Sequence, residues 1–236
     1  MKRSIILLSA LFLMFSCSPS EQELFDEGIK LMESGQLDKS IGFFDRAIEK
    51  NTEFIAAHNA KGVAYFQQEA YDSAIASFTA AIRLDSTSYK SFFNRGNAHL
   101  EKKSYKEALI DYNYANGLDL QQVDVYYNRG LALLGMEAYE DALLDFDMAL
   151  QANPNQPLAL FNKAKAQLGN NDPLGALETL AATVEVDNRN GAAFYLLGVT
   201  QMSALGMKEE GCANLKMSLS LGYTEAKTWI NDFCQE

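Results

Sequence analysis

From Glu21 onward, apolar residues recur at intervals of three and four, in blocks of about a dozen positions broken by short polar segments. That spacing puts the apolar side chains on one face of a helix, and no stretch alternates with the period of two that a half-buried strand needs. The pattern therefore predicts an all-α chain of many short helices. Between residues 89 and 156 the pattern is written twice. Placing Tyr89 over Val123 aligns Phe93-Asn94-Arg95-Gly96 with Tyr127-Asn128-Arg129-Gly130, Ala108 with Ala142, Asp111 with Asp145, Tyr112 with Phe146 and Ala115 with Ala149, at a spacing of 34 residues. Self-similarity at such a period marks an array of helix pairs, each burying its apolar face against the next.

The register extends in both directions, giving units at 21–54, 55–88, 89–122, 123–156, 157–190 and 191–222. With each unit numbered from one, position 8 is small (Gly28, Gly62, Gly96, Gly130, Ala164, Gly198) and position 20 is small (Ser40, Ala74, Ala108, Ala142, Ala176). Position 24 is large: Phe44, Phe78, Tyr112, Phe146 and Leu180. Small residues at 8 and 20 let the two helices of a unit approach closely, and the large ones fill the seam. This period and these positions resemble the tetratricopeptide repeat (TPR) family. The resemblance implies a right-handed TPR superhelical solenoid of about six helix-turn-helix repeats, with the first helix of each unit lining a concave face.

Two places depart from the register. In unit five, Asn170-Asn171-Asp172-Pro173 reads as a turn that starts the second helix. In unit six, Gly198 and Gly211 stand one residue further apart than Gly130 and Ala142, so Leu205-Gly206-Met207 reads as a lengthened turn. Residues 223–236 then form a capping helix, with Thr224 as its cap and Ala226, Trp229, Ile230 and Phe233 on one face. An open array needs such a cover for its last apolar face.

The N-terminal segment, 1–16, has a basic start in Lys2 and Arg3 and an apolar run from Ile5 to Phe15, too short to span a bilayer. Met14-Phe15-Ser16-Cys17 resembles the bacterial lipoprotein cleavage box, in which the cysteine is lipidated and becomes the first mature residue. The resemblance implies an extracytoplasmic lipoprotein carrying lipid on Cys17, with 17–20 as a short tether reaching roughly 10 Å. Ser18 after the cysteine implies outer-membrane rather than inner-membrane sorting.

The formal charge of −11 falls to −13 without Lys2 and Arg3. So acidic a body lacks the basic stripe that nucleic acid rewards. No metal-ligand spacing, Ser-His-Asp set or phosphate-cradling glycine loop occurs, so neither cofactor, small-molecule substrate nor enzymatic reaction is expected.

In TPR proteins, positions 2, 5, 9 and 12 of the first helix line the groove. Position 5 reads Phe93, Tyr127, Phe161 and Tyr195, four rings in successive units. They either pack on neighbouring helices or present an apolar stripe to a partner. Position 6 reads Asn94, Asn128 and Asn162, resembling the asparagine ladder with which some TPR superhelices hold a peptide backbone; at position 9 only Asn97 and Lys165 resemble the paired Lys and Asn of the carboxylate clamp in chaperone-binding TPR proteins. Together these residues are the expected partner site for a protein or peptide. Arg95 and Arg129 at position 7 occur in the two units that carry Asp111 and Asp145 at position 23, which predicts an ion pair between helices. Cys212 and Cys234 flank the Gly222 turn at similar distances, so antiparallel packing would allow a disulfide pinning the cap. The expected role is a membrane-anchored scaffold that holds a peptide or helix in its groove; the alternative is a structural assembly factor of an outer-membrane or cell-wall complex, bound through its convex face or repeat edges.

Overall fold

The computed structural model describes residues 18–234. The segment 1–16 expected to be a leader, and the expected lipidation site Cys17, lie outside the described residues. Among the described residues there are 13 helices and no strand: α1 (Glu21–Glu33), α2 (Leu37–Lys50), α3 (Ile55–Gln67), α4 (Tyr71–Leu84), α5 (Tyr89–Glu101), α6 (Tyr105–Leu118), α7 (Val123–Gly135), α8 (Tyr139–Ala152), α9 (Pro157–Gly169), α10 (Pro173–Val186), α11 (Gly191–Ser203), α12 (Lys208–Ser220) and α13 (Ala226–Phe233). Each odd-numbered helix up to α11 pairs with the one that follows, and each pair packs on its successor.

Local chemistry sets the helix ends. Ser20 and Glu23 form a reciprocal capping box at α1. Pro157 and Pro173 begin α9 and α10, where the missing N–H costs nothing, and Asp172 and Asn190 cap α10 and α11 by accepting from Gly175 and Ala193. The first helix of units one to five is closed by one residue with positive φ: Gly35, Glu69, Lys103, Glu137 and Asn171. Three residues separate the helices in those units and four in unit six, where Gly206 takes the positive φ, so the lengthened turn is present. One detail of the cap differs from expectation. Lys227 N–H donates to the Thr224 carbonyl rather than to its hydroxyl, and the chain turns through Glu225, which is already helical, without a side-chain cap.

The core is a row of rings seated on glycines. A Cβ on Gly28, Gly62, Gly96 or Gly130 would come within 2.5–2.8 Å of Phe44, Phe78, Tyr112 or Phe146. Those four rings are almost wholly buried. In unit five the seat is Ala164 and the filler Leu180, a larger seat and a smaller filler of similar combined bulk. Successive first helices (α1, α3, α5, α7, α9) also touch one another directly, whereas successive second helices hardly do. The first helices therefore crowd the inner, concave side, and the second helices spread on the convex side.

Candidate functional site

The concave face is built by α5, α7 and α9. Between them lies an open groove of about 530 Å³, walled by Leu100, Leu131 and Leu134 with Asn162 and Lys165 at one side. Its rim is formed by Tyr105 and Tyr139 from the starts of α6 and α8, and by the charged turn residues Lys103 and Glu137. These tyrosines were not singled out in the sequence. Each lies over the last residue of the next unit's first helix, and the fit is close. A Cβ on Gly135 would meet the Tyr105 ring at 2.5 Å and one on Gly169 would meet Tyr139 at 2.3 Å. The pairing of an aromatic at position 17 with glycine at position 13 of the next unit was the available signal.

All four position 5 rings are half-buried. Phe93 packs 6.1 Å from Tyr112 and Tyr127 packs 6.2 Å from Phe146, centroid to centroid, so their inner edges belong to the core of their own units. Phe161 packs on the Leu180 cluster, and Lys165 sits over its ring at 5.9 Å. Tyr195 faces Tyr223 at 5.1 Å, beside the cap rather than in the groove. Phe93 and Asn94 border a second hollow of about 220 Å³ with Tyr89, Gln122 and Val125, toward the start of α7.

The asparagines are brought together, and they bond to one another. Asn94 donates to Asn59 at 3.4 Å, and Asn128 donates to Asn97 at 3.0 Å. The Asn97 carbonyl also accepts from the Tyr112 hydroxyl at 2.8 Å. Asn162 donates to the Tyr127 hydroxyl at 3.3 Å and to its own helix at Leu158 O. Each amide therefore ties one unit to the previous one or to its own core while one edge stays at the half-exposed surface. Burial pushes the Tyr127 phenol above its ordinary pKa, against the Asn162 hydrogen bond, so the hydroxyl stays protonated and able to donate. Burial pushes Tyr112 up further.

The position 7 cations all face the preceding unit, but they find their counter-charge in two different places. Arg95 forms a bidentate pair with Asp111 (2.8 and 2.7 Å) and donates its third nitrogen to Thr79. Arg129 repeats this with Asp145 (2.7 and 2.6 Å) and Asn113. Hydrogen bonding to Asp145 raises the Arg129 pKa further, so its charge is permanent. Lys61 and Lys163 instead pair with Asp45 and Asp147 of the preceding unit, at 2.5 and 2.6 Å. Where the cation is Arg, the carboxylate stands at position 23 of its own unit and position 25 before it is neutral. Where it is Lys, position 23 is Ser77 or Thr179 and the carboxylate moves to position 25 of the unit before. Each half-buried cation has one carboxylate, which is what burial demands. His99, near Asp111 at 4.0 Å, has its pKa lowered by burial despite that neighbour. Cys212 and Cys234 stand as a disulfide with Cα atoms 5.6 Å apart, joining α12 to the end of α13.

A sequence profile of the tetratricopeptide repeat matches residues 123–156, and a second profile of the same repeat matches 25–89 and 74–119, together more than half of the chain. The chain belongs to the tetratricopeptide repeat family. Among solved structures, this TPR chain is similar to YrrB, a TPR protein with an unusual peptide-binding site: 26% identity and a TM-score of 0.66 over 75% of this chain and 91% of YrrB. The PilF protein of Pseudomonas aeruginosa shares the fold at 20% identity and a TM-score of 0.71, covering 88% of this chain and 96% of that one. MamA of Desulfovibrio magneticus RS-1, from residue 41 to its end, shares it at 16% identity and 0.69, covering 73% and 98%. No functionally curated protein matches the sequence.

Proposed function

We propose that this TPR protein is a non-enzymatic scaffold that holds an apolar extended peptide or helix of a partner protein in its concave groove. The observation that carries this reading is the groove across α5, α7 and α9, where Leu100, Leu131 and Leu134 form an accessible apolar floor between polar rims. An apolar floor supplies affinity on burial, and the rims of Asn162, Lys165, Lys103 and Glu137 supply hydrogen bonds that fix direction. The peptide-binding site of YrrB supports the same class of ligand. Of the residues expected from the sequence, Asn162 lines this groove and offers its amide edge to the peptide backbone, while Phe93 and Asn94 border the second hollow.

We further propose that the scaffold is anchored to a bacterial outer membrane by lipid on Cys17. The support is the basic-apolar leader ending at that cysteine, and α1 begins four residues later, which would keep the array close to the bilayer.

Both parts are open to direct test. A photoreactive side chain in place of Lys165, on the concave rim, should crosslink the partner in the native host, and the same group in place of Glu178 on α10 should not. Leu134→Lys should reduce the Lys165 crosslink several-fold without loss of helicity; equal capture from both faces would remove the groove from consideration. Cys17→Ser should abolish incorporation of labelled palmitate and release the chain from the membrane fraction.

A further inference from the structure

The last unit departs from the others around three sulfur atoms. Where units two to five place Ala74, Ala108, Ala142 and Ala176 at the small seat of the second helix, unit six has Gly211, followed by Cys212. The missing methyl group makes room, because a Cβ on Gly211 would run into the Met202 side chain, which lies across it from α11. Met202 stands at position 12, where units three to five carry Leu100, Leu134 and Leu168, so a thioether replaces a hydrocarbon tip. The Met202 Sδ lies 4.0 Å from the Cys212 Sγ, and Cys212 is joined to Cys234 at the end of α13. Both cysteines of the described residues and one methionine thus meet where α11, α12 and α13 come together.

Two features make this cluster reachable and adjustable. Cys212 and Cys234 are both partly exposed, so a small thiol can attack the bond between them. Cys234 follows a helix of only eight residues that fully buries one side chain, Ala226, so little packing resists a shift there. Three sulfurs about 4 Å apart enclose one ion at metal–sulfur bonds of about 2.3 Å. Met202 and Cys212 already stand at that spacing, and once the bond is open a small movement of the end of α13 brings Cys234 to it.

We propose that Met202, Cys212 and Cys234 of the reduced chain form a trigonal site for Cu(I). Reduction is a two-electron exchange with a dithiol reductant: its own disulfide forms as the Cys212–Cys234 bond breaks, and its two protons leave two thiols on the chain. Cu(I) then displaces both protons to solvent and is held by two thiolates and one thioether. The donor set selects the ion. Thiolate and thioether sulfurs are soft ligands that favour Cu(I), whereas Zn(II) closes a structural site with four ligands and this cluster offers three. The imidazoles of the chain, His58 and His99, belong to units two and three and do not supply a fourth. Disulfide and copper site are alternative states of the same atoms. Either one ties α13 to α12, and the metal adds α11 through Met202, so Cu(I) keeps the cap closed under reducing conditions. The cluster lies in unit six, away from the groove across α5, α7 and α9, and stands independently of the partner reading.

The test uses the full chain carrying Cys17→Ser, which leaves Cys212 and Cys234 as its only thiols, reduced with a phosphine under anaerobic conditions. Cu(I) is titrated in competition with bicinchoninate, a chromophoric Cu(I) chelator. One Cu(I) per chain should leave the chelator, with the near-ultraviolet absorption of thiolate-to-copper charge transfer, and the unreduced chain should take none. Met202→Leu should weaken binding about tenfold or more. Its helicity by circular dichroism should be unchanged, since leucine fills that position in units three to five. Cys212→Ser with Cys234→Ser should abolish binding. No transfer of copper, binding indifferent to Met202→Leu, binding that survives loss of both thiols, Zn(II) taken in preference to Cu(I), or a disulfide that the phosphine does not open in the folded chain would each overturn the proposal.

Discussion

At the scale of single residues, the turns carry the strain and the side chains carry the specificity. Glu69, Lys103, Glu137 and Asn171 all adopt φ near +60°, where Gly35 serves the same purpose in unit one. A non-glycine residue there costs roughly 1 kcal/mol. Glu137→Gly should therefore stabilise the protein by up to about 1 kcal/mol, less the entropy that glycine adds to the unfolded chain, and chemical denaturation would measure it. A loss of stability would mean that the Glu137 side chain makes a compensating contact in solution. The positive φ was not legible in the sequence for Glu69, Lys103 and Glu137, because nothing in Glu or Lys announces a left-handed conformation. Asn171, the second residue of the Asn170-Asn171-Asp172-Pro173 turn, was the exception, since asparagine tolerates that conformation. The asparagines likewise changed meaning once packed: as letters they resembled a ladder for a ligand, and in space Asn97 and Asn128 bond across units and hold Tyr112.

At the scale of helices, layers are joined by the position 7 cations. The Arg95 to Asp111 and Arg129 to Asp145 pairs follow from the sequence, because both partners appear in the same units. The Lys61 to Asp45 and Lys163 to Asp147 pairs do not, since the carboxylate lies in the previous repeat and only the stacking of units brings it near. Asp111→Ala should cost about 3 kcal/mol, since Asp111 is 2% exposed and its loss strands a guanidinium in a half-buried layer. Converting the layer to the lysine arrangement, with Arg95→Lys, Asp111→Ser and Thr79→Asp together, should recover most of that loss. Thermal denaturation of the single and triple variants checks this, and a triple variant no better than Asp111→Ala would refute the exchange rule.

At the scale of the whole molecule, stability is a sum over units and the interfaces between them, so the ends are the weak points. The cap is only eight residues long and fully buries one side chain, Ala226. It is also tied to α12 by the disulfide, which closes a segment spanning 22 residues. Cys234→Ser should therefore destabilise the last unit by about 3 kcal/mol. Hydrogen exchange in α12 and α13 should accelerate accordingly, with α5 to α8 little changed. Uniform acceleration along the array would show that the units unfold as one block.

The sequence alone carried the all-α class of the array, its period, the glycine seats and the small-to-large pairing within units. Those features repeat every 34 residues and depend on contacts between helices adjacent in the chain. The rest lies between units, in the packing of one on the next: which face each ring shows, where the lysines find their carboxylates, and how Tyr105 and Tyr139 rim the groove. The reason is geometric. The position of one unit over the next depends on a small rotation per repeat that no single unit encodes, and every contact across the groove or the convex face inherits that rotation.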